Sequence, residues 1–274
     1  MLLRYLPWFV ILAILAEILG TVGGFGSSVF FVPMASYFMD FQSVLGITAL
    51  FHLSSNLTKI GFFRKGIDKH LILYLGIPAV AFVILGAFLS QFANPKFLGI
   101  SLGVFLVLFS IVFLAHKNLA VHASKGNALT GGALSGLLAG LLGTGGAIRG
   151  ATMASFRLPK DRFIATSAVI DMGIDLSRSF VYGYNGYIHM HDLYLIPILV
   201  VVSVLGTFLG KRILDHVRQE QFQHIVLYLL LFIGMVTLAI HVLGLRLVPV
   251  FAGSETAMSA VGFGSLLPQT PVFV

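Results

Sequence analysis

Two triads of polar residues sit inside apolar stretches of this chain at the same spacing. His52, Asn56 and Lys59 occupy positions i, i+4 and i+7, and Asp171, Asp175 and Arg178 repeat the pattern in the second half. On a helix each triad shares one face. Ionisable side chains inside an apolar span are costly and mark ion or substrate pathways. Lys59 and Arg178 present a cation on each face, and Arg149 adds a third in the apolar run from Leu129 to Phe156. Arginine suits bidentate binding of planar or tetrahedral oxyanions. The chemistry on offer is therefore the binding of a small anion. Ser27, Ser28, Asn56, Thr58, Thr144 and Ser177 are the hydrogen-bonding candidates beside these charges. Asp171 and Asp175 are like charges one turn apart, which disfavours double ionisation and opens a route to proton coupling. With His52 and Glu17 they are the candidates for carrying protons or balancing charge.

A structural role for the same residues stays open. In that reading Lys59 and Arg178 pair with Asp171 and Asp175 and staple helices together, and Arg149 caps carbonyls freed by a helix break. His52 bonds one helix to another, and Glu17, with no evident partner, faces a subunit interface. Other chemistry is thinly represented. There is no cysteine, which removes disulfides, thiolate catalysis and Cys-ligated metals. The nine histidines show no metalloprotease spacing, and the pair His189 and His191 alone is weak; no metal site and no cofactor is expected. An integral-membrane enzyme would need a nucleophile–base pair or a cofactor motif, and a scaffold would need no buried cations.

The elements that position the triads follow from composition and glycine placement. Of 274 residues, 58% are hydrophobic and 10% charged, against about 25% charged in soluble domains. This is an all-α polytopic membrane protein. The run from Trp8 to Met39 is interrupted by Gly20-Thr21-Val22-Gly23-Gly24-Phe25-Gly26-Ser27-Ser28, and that from Ala128 to Phe156 by Gly143-Thr144-Gly145-Gly146-Ala147-Ile148-Arg149-Gly150. Each glycine in a helix interior costs about 1 kcal/mol relative to alanine, so both runs predict broken helices. Unwound backbone at membrane depth survives only where protein or a cavity satisfies it. Matching breaks in two halves point to a transporter's binding site, with Gly24, Gly26, Gly145 and Gly146 at its backbone.

Three further spans follow each break, at about 43–63, 71–92 and 96–115, then 163–182, 193–214 and 222–243. The expected organisation is a first repeat over 1–115, a linker over 116–127, a second repeat over 128–252 and a tail over 253–274. Leu85-Gly86-Ala87-Phe88-Leu89 and Leu205-Gly206-Thr207-Phe208-Leu209 show the duplication in residues. Tyr182, Tyr184 and Tyr187 read as an interfacial aromatic belt, and Gly136 and Gly140 as a close helix contact.

Charge placement orients the repeats. If each broken segment is a hairpin, Arg64, Lys65, Lys69, Lys117, Lys125, Arg157, Lys160, Arg162, Lys211, Arg212 and Arg218 fall on one side. Only Arg4, Lys96 and Arg246 fall on the other, eleven against three. If each broken segment spans once, the same residues divide seven against seven. The bias selects two inverted repeats, each a Gly-broken helical hairpin plus three transmembrane helices. Both termini then lie outside and the linker in the cytoplasm, as for a multi-pass protein of a bacterial-type inner membrane.

Taken together these motifs resemble the sulfite exporter TauE/SafE family of membrane permeases over about Ile11 to Leu243. The resemblance rests on Gly20 to Gly26 followed by Pro33, on Gly46-Ile47-Thr48-Ala49 and on Gly66-Ile67-Asp68. A second copy lies at Gly143 to Gly150 and Ala165-Thr166-Ser167-Ala168, where Ile148 and Arg149 depart from more glycine-rich versions. It implies a plasma-membrane transporter with two homologous halves that moves sulfite, sulfoacetate and other sulfur-containing or organic anions, often outward. The partners expected are a small inorganic or organic anion and the lipid bilayer, with no nucleic acid; a homodimer is left open.

Overall fold

The structure, a computed structural model, describes residues 5–23, 26–63, 66–115, 122–216 and 219–243. In chain order the first half holds α1 (Leu6–Gly23), α2 (Ser28–Ala35), α3 (Phe41–Phe62), α4 (Lys69–Ser90, with a π turn at Ile72–Gly76) and α5 (Pro95–Ala115). The second holds α6 (Lys125–Leu142), α7 (Gly146–Ala154), α8 (Lys160–Tyr184), α9 (Leu195–His216) and α10 (Gln219–Leu243). A 3-10 turn at Met190–Asp192 precedes α9. Local chemistry sets several starts. The Asp40 side chain accepts from the Ser43 amide at 2.9 Å to cap α3, and Ser124 accepts from the Asn127 amide at 3.1 Å to cap α6. The second cap begins α6 at Lys125, inside the stretch expected to be linker. Residues 253–274 and Gly24 lie outside the described residues.

Both glycine stretches do break their helices, and both broken segments turn back. The Ser27 hydroxyl lies 2.6 Å from Glu17, and the Phe9 ring stands 5.7 Å from the rings of both Phe31 and Phe38. α2 therefore retraces α1 toward its start. In the second half Gly145 packs on the Ser135 carbonyl and Gly131 on the Thr152 side chain, so α7 retraces α6. The reversals use left-handed backbone at Gly26 (φ 81°) and Gly143 (φ 75°), a conformation glycine adopts without a Cβ clash.

The two halves interlock rather than sit side by side. α1 packs along α9, and α6 along α4. Gly132 and Gly136 lie so close to the Leu75 and Ala79 carbonyls that a Cβ would collide with backbone; the small-residue face lets these helices approach. α3 packs on α8, and α5 on α10. Ser43 at the start of α3 meets His189 beyond the end of α8 at 3.0 Å, whereas Asp68 beyond the end of α3 meets Arg162 near the start of α8 at 3.2 Å. α3 and α8 thus run antiparallel. So do α5 and α10, since Gly99 lies beside His241 and Gly234 beside Leu106.

Among the described residues four helices, Leu6–Gly23, Lys69–Ser90, Pro95–Ala115 and Leu195–His216, are long and apolar enough to cross a membrane. α3 and α8 are as long, at 22 and 25 residues, but carry the buried charges. Trp8, Ile11, Leu108, Val201 and Phe208 face outward, while Glu17, Ser27, Asp175 and Arg178 are at most 2% exposed. An apolar surface around a polar centre is the arrangement a lipid solvent requires.

Candidate functional site

The two hairpin tips meet between α3 and α8. The Ser28 hydroxyl donates to Thr144 Oγ1 at 3.4 Å, joining one break to the other. Around this seam three ion pairs form, two of them buried and the third, at Asp171, partly exposed to the cavity. Lys59 Nζ lies 2.8 Å from Glu17 Oε1, Arg178 Nη2 lies 2.6 Å from Asp175 Oδ1, and the Arg149 fork binds both oxygens of Asp171 at 2.5 Å. Buried charges persist only when paired and hydrogen-bonded, and these are.

Glu17 is the most heavily bonded of the carboxylates. Besides Lys59 it accepts from Ser27 and Ser55 at 2.6 Å, Thr207 at 3.0 Å and Thr21 at 3.3 Å. It ties α1, α2, α3 and α9 together. Two expectations are corrected here. Glu17 faces the centre of its own chain, not a subunit interface, and nothing at this residue supports a homodimer. Lys59 is held by Glu17 rather than by Asp171 or Asp175, which are taken by Arg149 and Arg178.

The second triad does pair internally. Asp175 binds Arg178 and also accepts from Asn56 Nδ2 at 2.7 Å, so one residue of the first triad meets the second across the repeats. Arg178 Nη1 donates to the Gly143 carbonyl at 2.8 Å and to the Ala139 carbonyl at 3.2 Å, satisfying the end of α6 where the glycine break exposes it. That capping role was anticipated for Arg149, which instead spends its donors on Asp171 and, at 3.2 Å, on Ser167. His52 bonds helix to helix: its Nε2 lies 3.1 Å from the Ser27 hydroxyl and its Nδ1 3.9 Å from Asp175.

A small cavity of about 20 Å³ opens beside the seam, lined by Gly20, Thr21, Gly26, Lys59, Ile164, Ser167, Ala168 and Asp171. Gly145 and Gly146 are buried at the second tip. Thr58 and Ser177 turn away from it, each bonding a carbonyl on its own helix, Ser54 and Gly173, at 2.8 Å. Ser55, Thr21, Thr207 and Ser167 join the site beyond the residues expected from the sequence. Three of them carried a signal: Ser55 precedes Lys59, Thr21 follows Glu17 and Ser167 precedes Asp171 by one helical turn. The expected cation-rich face is also corrected. Three cations meet three carboxylates, because low-dielectric burial admits charge only in balance.

The tyrosines divide. Tyr182 and Tyr187 are buried, and the Tyr182 hydroxyl donates to the Gly140 carbonyl at 2.6 Å; only Tyr184 keeps the outward place of a belt residue.

Interlocked halves, two re-entrant breaks and a buried charged cluster define a multi-pass membrane protein of transporter type. The chain belongs to the sulfite exporter TauE/SafE family, whose family model matches residues 9–237. Membership places it among membrane transporters of sulfur-containing anions. Neither a curated protein nor a solved structure matches the chain.

Proposed function

We propose that this chain is a secondary transporter that exports small anions such as sulfite, sulfoacetate or related organosulfonates, by alternating access at the cluster between the hairpin tips. The observation that carries the reading is the meeting of the two breaks, Ser28 on Thr144, beside a cavity lined by Lys59, Ser167 and Asp171. Asp171 holds the Arg149 fork with a planar, two-oxygen anion. A sulfonate or sulfite offers the same fork a similar pair of oxygens, so the cargo competes with Asp171 for Arg149. A cavity of 20 Å³ holds about one water. An oxyanion enters only when the hairpins part. The cluster, neutral before the anion enters, must then gain a positive charge to balance it, which is the basis for coupling to protons.

In this reading the halves, 1–115 and 128–252 joined by 116–127, are inverted repeats about an axis in the membrane plane. The antiparallel runs of α3 on α8 and of α5 on α10 support it. The linker then lies in the cytoplasm and the termini outside a bacterial-type inner membrane. Supporting this, Lys125 over the Tyr74 ring, Arg162 on Asp68 and Lys211 on the Phe62 carbonyl gather at one end of the bundle.

The test is efflux of sulfite and of ethanesulfonate from liposomes holding the purified protein. Wild type is expected to give protein-dependent flux. Arg149→Gln/Asp171→Asn, which removes one cation and one carboxylate together, is expected to reduce it at least tenfold while the protein still inserts. No protein-dependent flux of any sulfur anion, or full flux in that variant and in Lys59→Gln, would sink the proposal.

A further inference from the structure

Counting hydrogens along the chain of contacts that crosses the seam locates a proton. The Ser27 hydroxyl has a single hydrogen. It stands 2.6 Å from Glu17 Oε2 and 3.1 Å from His52 Nε2. Glu17 already takes the Lys59 ammonium and three other hydroxyls, the surroundings of an ionised carboxylate. Ser27 therefore gives its hydrogen to Glu17 and must accept one from His52, which fixes a hydrogen on Nε2. Whether Nδ1 carries one too is the open question. Nδ1 faces Asp175 Oδ2 at 3.9 Å. Asp175 is otherwise supplied with donors, Arg178 on Oδ1 and Asn56 on Oδ2. If the imidazole is neutral and Asp175 ionised, two lone-pair acceptors confront each other in a site that is at most 6% exposed. That arrangement is costly in a low dielectric, and one added proton turns it into an attractive pair.

The other charges around His52 show what that proton does. Arg178 faces it from α8, Arg149 from α7, Lys59 from its own helix and Glu17 through Ser27. Asp171 neutralises Arg149, as Glu17 does Lys59 and Asp175 does Arg178. Without the proton the cluster sums to zero; with it the sum is one positive charge, the complement of a monovalent anion.

We propose that His52 and Asp175, one from each repeat, share the exchangeable proton of this transporter, and that the proton and a monovalent oxyanion bind together. This deepens the reading above and rests on it. The proton comes from water, goes to Nδ1 or Oδ2, and no other bond is made or broken. Anion and proton then cross in the same direction, so that carriage of a monovalent anion moves no net charge. By linkage each ligand strengthens the other's binding by the same factor.

The experiment uses purified full-length protein in weakly buffered detergent solution with ethanesulfonate, an anion that does not itself titrate. Addition of ethanesulfonate to wild type is expected to take up about one proton per anion bound, and its affinity to fall about tenfold per pH unit above the range where the pair holds its proton. In His52→Gln, whose side-chain amide can still donate to Ser27, and in Asp175→Asn, the uptake and the pH slope are expected to vanish. Wild-type binding with no proton uptake at any pH and with an affinity that does not vary with pH overturns the proposal and leaves the anion site standing. Uptake that survives in both variants puts the proton elsewhere and overturns it too. If neither ethanesulfonate nor sulfite binds wild type at any pH, the anion site itself falls, and the coupling with it. Should one variant fail to fold, the other and the wild-type proton count still decide.

Discussion

Lys59 in the first half and Arg178 in the second stand at matching positions of the proposed repeat and are held in different ways. Arg178 takes a carboxylate one turn back on its own helix and two carbonyls at the end of α6. Lys59 takes Glu17, from the helix that matches α6. Matched through Gly20-Thr21 and Gly143-Thr144, the place of Glu17 is filled in the second half by Gly140, which lies against Gly86 as Glu17 lies against Gly206. The single difference between the pentapeptides at 85–89 and 205–209 is Ala87 against Thr207, and Thr207 is the residue that donates to Glu17. The α1–α9 contact therefore carries a charge and hydroxyls where the α6–α4 contact is apolar and closed by Gly132 and Gly136 on backbone. In the proposed repeat the shared residues supply the frame, and the departures from it supply the polarity. One hairpin is tethered by groups that can exchange partners; the other is locked by close packing that cannot.

The largest expected effect comes from removing the carboxylate that the second half lacks. Glu17→Leu leaves Lys59 buried without its carboxylate, and removing one partner of a buried pair costs about 3–5 kcal/mol. Thermal unfolding of the purified protein should show a large loss for this variant. Glu17→Leu/Lys59→Met, with both charges gone, should recover most of it. A single variant as stable as wild type would mean that the two hairpins are held alike despite their chemistry.

Thr207→Ala gives the second repeat the first repeat's residue and sharpens the same contrast. It removes one hydrogen bond to an ionised acceptor, worth about 1.5–3 kcal/mol. In a Glu17→Leu background it should cost almost nothing further, since the two residues act as one unit. Full additivity between the two changes would separate them.

The unequal legibility of fold and site has a physical basis. The breaks, the spans and the faces of α3 and α8 follow from glycine cost and 3.6-residue periodicity, which are local properties. His52, Asn56 and Lys59 could be put on one face without knowing what faced them. Partner choice is different, because it depends on how far each hairpin returns. Nothing in the spacing of Lys59 says that Glu17, forty-two residues earlier, folds back beside it while Asp171 goes to Arg149. Small hydroxyls are ambiguous for another reason: a helical Ser or Thr bonds its own i−4 carbonyl as readily as a neighbour. Thr58 and Ser177 do the first, Ser55 and Thr207 the second. Tyr182 was misplaced because an aromatic near a helix end serves a lipid interface and a buried carbonyl equally well.

The smallest effect concerns how the paired helices begin. α3 starts on Asp40, which accepts from the Ser43 amide and hydroxyl, whereas α8 starts on Pro159 with no side-chain cap. Asp40→Ala should therefore destabilise the first repeat by about 1 kcal/mol, with no counterpart to lose in the second. Partial burial pushes the Asp40 carboxyl up, but the two Ser43 bonds and nearby His189 outweigh it and hold the group below its ordinary value of 3.8. A depressed carboxyl contributes stability above its unfolded titration point and loses it as pH falls through the folded one. The gap between wild type and Asp40→Ala should accordingly be full at neutral pH and close as the pH is taken below the ordinary carboxylate range. Thermal unfolding across an acid series reads it directly. A gap that held constant into acid would mean that Asp40 caps α3 through its shape and not its charge, and the two helix starts would then differ less than their residues do.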